Sequence, residues 1–232
     1  MKKLVILSGA GISAESGFST FRDSGGLWER YSVEEVCTPE GYARDPKKVL
    51  DFYNGLRKQL LAAQPNEAHY LVAELEKHFD VTVITQNVDN LHERAGSHHV
   101  IHLHGELMKA TSSNDPNNPE CIVTLSGDKP EIHLGDLAKD GSQLRPFIVW
   151  FEEPVPMIEK AVEYVEKSDI FVIVGTSLNV YPAAGLVNYV PAETPVYLID
   201  PKEVKLPYGH HITVIQKKAS EGMRDLTKLL IS

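Results

Sequence analysis

Two histidines alternate in the stretch VIHLHGEL at residues 100–107, and a glycine follows the second. In a strand, residues two apart share a face. His102 and His104 therefore either join in one metal site or divide the work, one packing and the other acting as a base. A metal site needs a third His, Asp, Glu or Cys converging on the pair, with hydrogen bonds behind it. His92, His98 and His99 are near in sequence but fall on a helix end or turn without convergence, so metal is the weaker reading. His104 ends the strand beside Gly105, where a neutral imidazole at pH 7 suits a general base. His102 is read as packed. The bland alternative for His104 is a partly buried, hydrogen-bonded histidine.

The elements that must position these side chains are legible as apolar runs. LVILSG (4–9), VTVITQN (81–87), IFVIVGTS (170–177), PVYLID (195–200) and ITVIQ (212–216) each end in small or polar residues. Continuous apolar strands belong to parallel sheets covered on both faces. Between them NEAHYLVAELEKHF (66–79) and PMIEKAVEYVEKSD (156–169) read as helices. In the first, Ala68, Leu71, Val72 and Leu75 recur at helical spacing and Asn66 supplies a cap. The alternation predicts an α/β fold with a doubly wound parallel sheet.

Ligands of such sheets bind beyond the carboxyl ends of the strands. Those ends read Gly9–Gly11, Gln86-Asn87-Val88-Asp89, His104-Gly105, Gly175-Thr176-Ser177 and Asp200. Each alone is an ordinary turn or helix cap. Together they supply amide donors for phosphates, a carboxylate for a ribose, and Asn and Asp for a carboxamide. The G-x-G of LSGAGISAESG lets backbone approach a pyrophosphate at a helix N-terminus, or simply makes a tight strand–helix turn. A dehydrogenase fingerprint also wants an acidic residue ending a second strand about 20 residues on. Here FSTFRDSGGLWERY is a glycine-rich loop instead, which disfavours that class. Phe21, Arg22, Asp23 and Trp28 on this loop read as a cover for a bound ligand, or as loop packing with a surface ion pair.

Two segments break the alternation. Residues 31–60 read as helices with no strand between them, and 108–145 are polar, turn-rich and weakly periodic. Both are read as insertions forming a small lobe, with 1–30, 61–107 and 146–232 as the sheet domain. The formal charge is −9 over 232 residues, without a Lys/Arg block, which argues against a nucleic-acid partner. The opening MKKLVILSGAG has too short an apolar run for a signal peptide. No stretch reaches the ~20 apolar residues that span a bilayer. A cytoplasmic protein that binds no membrane is expected. Cys37 and Cys121 suit a reducing compartment and cannot make a four-cysteine zinc site.

GAGISAESGFSTFRD, TQNVDNLHERAG, HLHGE, LRPFIVWF, GTSLNVYPAAG and KKASEG, in this order from residue 9 to about 222, resemble the sirtuins, NAD-dependent protein-lysine deacylases. The resemblance implies a Rossmann-like domain, a smaller lobe, and an acyl-lysine peptide between them. It implies transfer of the acyl group to ADP-ribose with release of nicotinamide, His104 taking a proton from the ribose hydroxyls. By the same resemblance Gln86, Asn87, Val88 and Asp89 hold the nicotinamide ribose and carboxamide. Gly9, Ala10, Gly11, Ile12 and Ser13 line the pyrophosphate and nicotinamide pockets, and Phe21, Arg22 and Trp28 close over them. Gly175, Thr176, Ser177, Asp200 and Ala219 meet the adenosine side, and Val149, Phe151 and Val180 the peptide. A mono-ADP-ribosyltransferase and an NAD-responsive binding module remain as alternatives.

VCTPEGYARDP followed by FYNGLRKQ is similar to the class III branch, which removes acidic acyl groups with a Y-x-x-R grip. Cys37 takes the small position and Tyr53 the tyrosine, but Leu56 stands where the arginine is expected and Arg57 follows it. One residue along a helix is a rotation of ~100°, so Arg57 does not simply substitute, and the acyl preference stays open between deacetylase and desuccinylase. The family's two C-x-x-C pairs read Ala110 and Ser113, then Leu137 and Asp140, so no zinc is expected. Glu152 stands in FEE where F-G-E is usual.

Overall fold

The computed structural model describes residues 1–18, 31–204 and 211–231. The expected cover residues Phe21, Arg22 and Trp28 lie outside the described residues. In chain order the strands are β1 (Lys3–Ser8), β2 (Asp80–Thr85), β3 (Val100–His102), β4 (Gly105–Ser112), β5 (Val123–Thr124), β6 (Leu144–Ile148), β7 (Ile170–Val174), β8 (Val196–Ile199) and β9 (Ile212–Ile215). The α-helices are α1 (Val33–Val36), α2 (Pro39–Arg44), α3 (Pro46–Ala62), α4 (Glu67–Glu74), α5 (Leu91–Ala95), α6 (Ile158–Val165) and α7 (Ala219–Ile231). No described helix is long and apolar enough to cross a membrane.

Six strands form one parallel sheet in the order β3-β2-β1-β7-β8-β9. The apolar runs are continuous because both faces are covered. Leu4, Ile6, Val81, Val83, Val172 and Val174 pack with Val72 of α4 and Met223 and Leu226 of α7. The alternate residues Val5, Leu7, Ile84, Phe171, Ile173 and Leu198 pack with Ala161 and Val165 of α6. Strand order reverses between β1 and β7, the place where such sheets open a crevice for a ligand.

VIHLHGEL is not one strand, contrary to expectation. β3 closes the parallel sheet at His102, and β4 opens a second sheet at Gly105. Gly105 makes the break: its φ is +84°, and a Cβ there would lie 2.1 Å from the Phe147 carbonyl oxygen. Only glycine can turn the chain so close to β6.

Residues 31–60 form α1 to α3 with no strand, as their pattern predicts. Residues 108–145 hold more order than their polarity suggests, since β5-β4-β6 is a three-stranded antiparallel sheet. Periodicity is weak there because β5 has two residues and the β4–β6 register shifts between Gly105 and Ala110. Asn54 of α3 joins the two insertions. Its Nδ2 donates to the Ile132 carbonyl and its Oδ1 accepts from Ile132 N–H, both at 3.0 Å, as a neighbouring strand would. Arg57, fully buried, donates from Nε to the Leu107 carbonyl and from Nη1 to Asn54 Oδ1, both at 2.7 Å.

Candidate active site

At the strand-order reversal two turns interlock. Gly9 N–H donates to the Val174 carbonyl at 3.0 Å and Gly11 N–H to the Gly175 carbonyl at 2.8 Å. A Cβ on Gly9 would lie 2.7 Å from Gly175 O, and one on Gly175, whose φ is +64°, 2.3 Å from Ile12 N. Asn66, the expected cap of α4, also donates to the Ile12 carbonyl at 2.7 Å and fixes the glycine turn from behind.

After β2 the chain builds a buried polar brace. Asn87 Nδ2 donates to the Gly9 carbonyl and to Ser13 Oγ, both at 3.2 Å. Ser13 donates to Asp89 Oδ2 at 2.8 Å, and Leu91 N–H to Asp89 Oδ1 at 3.0 Å. Burial raises the Asp89 carboxyl above its ordinary pKa, opposed by the bonds from Leu91 and Ser13. Gln86 Nε2 donates to Thr176 Oγ1 at 3.0 Å and ties the β2 end to the β7 end. Behind the brace, burial lowers His69 to about 4 and His92 well below its usual value.

His104 and His102 do different things. His104 Nδ1 lies 2.9 Å from the Gln86 carbonyl, which can only accept, so Nδ1 carries the proton and Nε2 keeps its lone pair. Burial lowers its pKa below the ordinary histidine value, with the Gln86 bond opposing. His102 has both nitrogens engaged, with the Asn87 carbonyl at 3.2 Å and Glu93 Oε1 at 2.7 Å. Burial lowers its pKa, yet the bond and charge of Glu93 outweigh that and leave it raised. The pair therefore does not share a metal. Among the described residues no three His, Cys, Asp or Glu side chains gather as ligands.

One cavity of about 780 Å³ runs along the ends of the parallel strands and under the lobe. Gly9, Ala10, Gly11, Gly175, Thr176 and Ser177 line it at the interlocked turns. Gln86, Asn87, Val88 and His104 line its middle, and Asp200 and Ala219 the end past β8 and α7. Cys37, Tyr53, Val149, Phe151 and Val180 complete the expected wall. Among the described residues, four expected ones are not on it. Ile12 is in the sheet core, Ser13 and Asp89 form the brace behind Asn87, and Leu56, 2% exposed, packs among Val36, Leu60 and Leu107.

The sequence reading left out several lining residues. Trp150 Nε1 donates to Tyr53 Oη at 3.0 Å, and Cys37 Sγ lies 3.4 Å from the same oxygen. Burial pushes the Cys37 thiol up to about 11 and raises Tyr53, so both are neutral. Glu15 accepts from Ser220 N–H at the start of α7. Segment 149–151 spans the cavity wall: Val149 N–H donates to the His104 carbonyl and Phe151 N–H to the Cys37 carbonyl, each at 3.0 Å. Arg145, stacked 3.4 Å over the Trp150 ring, clamps Glu153 with Nη1 at 2.7 Å and Nη2 at 3.0 Å. Glu152, at φ +73°, turns the chain between them. The aromatic W of LRPFIVWF was the available signal, but its indole partner is 97 residues away in sequence.

The lobe does not fit a zinc ion. At the places where cysteines are expected Ala110 is buried, Leu137 is exposed, and Asp140 is bonded to serines. Ser112 Oγ donates to Asp140 Oδ2 at 2.6 Å, and Ser142 donates to Oδ1 from N at 3.0 Å and from Oγ at 2.7 Å. These bonds hold the Asp140 carboxyl below its ordinary pKa.

Comparison with known proteins agrees with this geometry. A model of the Sir2 family matches residues 9–182. An NAD-dependent protein deacylase of Bacteroides thetaiotaomicron is 65% identical over 231 residues, 100% of this chain and 99% of that protein. A mutant Sir2 homologue in complex with ADP ribose superposes with a TM-score of 0.88 at 40% identity, covering 98% of this chain and 91% of the other. A Sir2–p53 peptide–NAD+ complex superposes at 0.78 and 30% identity, covering 99% and 94%. A family match over most of the chain, and a relative so similar from end to end, establish that this chain belongs to the Sir2 family, the sirtuins.

Proposed function

We propose that the chain is an NAD-dependent protein-lysine deacylase in which His104 is the general base. The observation that carries the reading is the His104 tautomer: Nδ1 is held by the Gln86 carbonyl, and the residue lines the cavity shared by the glycine turns and the Cys37–Tyr53 end. NAD supplies an ADP-ribose acceptor with nicotinamide as its leaving group. The close-packed glycines at 9, 11 and 175 suit a pyrophosphate, since the backbone there is bare of side chains. Asn87, fixed by Gly9 and Ser13, positions the nicotinamide ribose, and His104 takes a proton from its hydroxyls. The sheet domain, residues 1–30, 61–107 and 146–232, holds the dinucleotide. The lobe from 31–60 and 108–145 closes the acyl end, and the peptide lies against 149–151.

Mass spectrometry of nicotinamide and O-acyl-ADP-ribose, released from NAD and acyl-lysine peptides, tests this. His104-dependent release of both is the expected result. Transfer of labelled ADP-ribose onto protein without O-acyl-ADP-ribose would replace the reading with a transferase.

A further inference from the structure

Two described residues other than glycine adopt a left-handed backbone, Glu152 at φ +73° and Leu178 at φ +55°. Glycine takes this conformation freely and an L side chain does not. Strain of this kind gathers where ligands are held, and both residues sit at the cavity: Glu152 lines it, and Leu178 joins Ser177 to Asn179, which line it too. Leu178 packs its side chain on the sheet core. Glu152 is exposed and makes no hydrogen bond or ion pair among the described residues. A bare carboxylate is therefore kept at this turn against a conformational cost.

The other carboxylates near it are held. Arg145 grips Glu153 through both terminal nitrogens and also bonds the Ile148 carbonyl, so it has nothing left for Glu152. Glu15 accepts from Ser220 N–H, and Asp200 from Lys202 N–H. Glu203 and the lysines of the wall, Lys202 and Lys218, lie past β8 and before α7, at the far end of the crevice.

Position says what the free carboxylate meets. Val149 N–H is tied to the His104 carbonyl and Phe151 N–H to the Cys37 carbonyl, so 152 is the first residue after the segment beside the general base. A peptide lying on 149–151 with its acyl-lysine reaching His104 brings the neighbours of that lysine past Glu152, at about 3.3 Å per residue of extended chain. The same wall exposes two aromatic rings, Phe151 at 38% and Tyr181 at 75%. A carboxylate beside open ring faces suits a guanidinium, which pairs with the one and stacks on the other. We infer that Glu152 selects the peptide, favouring acyl-lysines with a basic residue, arginine above all, within two places of the acylated lysine. The inference rests on the deacylase reading and names its substrate class.

The test is kcat/KM for peptides carrying one acyl-lysine, made in acetyl and succinyl forms, with Arg, Gln or Glu placed in turn at each of the two positions on either side. At one or more of these places wild type should favour Arg over Gln about threefold and over Glu about tenfold, the size of an exposed ion pair and of its reversal. The difference should lie in KM, because a charge at the cavity mouth meets substrate and transition state alike. It should shrink towards one in about 1 M salt, where the screening length is about 3 Å. Glu152→Gln, which keeps the size of the side chain, should erase the ranking, and Glu152→Arg should invert it. An Arg preference at no position would overturn the inference. So would a preference that both variants keep, which would belong to the overall charge of −9 instead. Nicotinamide release from none of the peptides would overturn the deacylase reading itself, a different result from a missing ranking among active peptides.

Discussion

The Ser13 hydroxyl donates to Asp89 Oδ2 at 2.8 Å while its oxygen accepts from Asn87 Nδ2 at 3.2 Å. One buried group thus couples a carboxylate that never reaches the cavity to an amide on its wall. Ser13→Ala leaves a buried carboxylate oxygen short of a donor. We expect a loss of about 1–3 kcal/mol in denaturant unfolding. A loosened Asn87 should slow nicotinamide release by about a hundredfold. Unchanged kinetics would mean that the Gly9 carbonyl alone positions Asn87.

His104→Ala should lose turnover and keep NAD binding, read by calorimetry. In wild type the base must be neutral, and burial favours the neutral form. The kcat/KM profile should therefore rise with pH, with a midpoint below the ordinary histidine value of about 6.5, and be level at pH 7. A midpoint above that value would put a different group in the role.

Leu56→Arg should not create a carboxylate grip. Leu56 is inside the lobe core, 2% exposed, and a guanidinium there has no anion to meet among the described residues. A destabilisation of about 3–5 kcal/mol is expected from a buried unpaired charge. Thermal melting checks it, and an undiminished Tm would show that the arginine escapes to the cavity.

The serine-bonded Asp140 should make the lobe acid-sensitive. Its folded pKa is lowered by Ser112 and Ser142, so its contribution is fully present above the ordinary Asp value of about 3.9. That contribution is lost as pH falls through the lower folded value. Amide exchange at residues 137–142 should quicken in that window in wild type, and at all pH values in Asp140→Ala. Elemental analysis of the pure protein should find less than stoichiometric zinc.

Gly175→Ala should abolish NAD binding, because its Cβ would fall 2.3 Å from Ile12 N in a left-handed conformation. Binding by the folded variant would show that the interlocked turns can part.

The parallel sheet was legible because a strand buried on both faces leaves an uninterrupted apolar run. His104 and the glycine turns were legible because strand ends are where such sheets work. The sequence could not show that VIHLHGEL breaks between two sheets, since the cause is the nearness of Phe147 to Gly105. It could not separate Ser13 and Asp89, behind the wall, from Asn87 on it, because all three are polar residues in the turns that follow strands. The β5-β4-β6 sheet was hidden by the bulge and by a two-residue strand. The Trp150–Tyr53–Cys37 contact joins three separate stretches of chain and has no local signature.

The Asn54 amide pairs with both backbone groups of Ile132, and Arg57 braces the same joint. The two insertions are thus halves of a single heritable unit, although about fifty residues of sheet domain separate them in the chain. Swapping residues 31–60 alone with a relative would strand the backbone of Ile132, whereas exchanging both segments carries the joint intact. Substitutions at 54 and 57, whose side chains bond each other, should accordingly be accepted in combination and rejected singly.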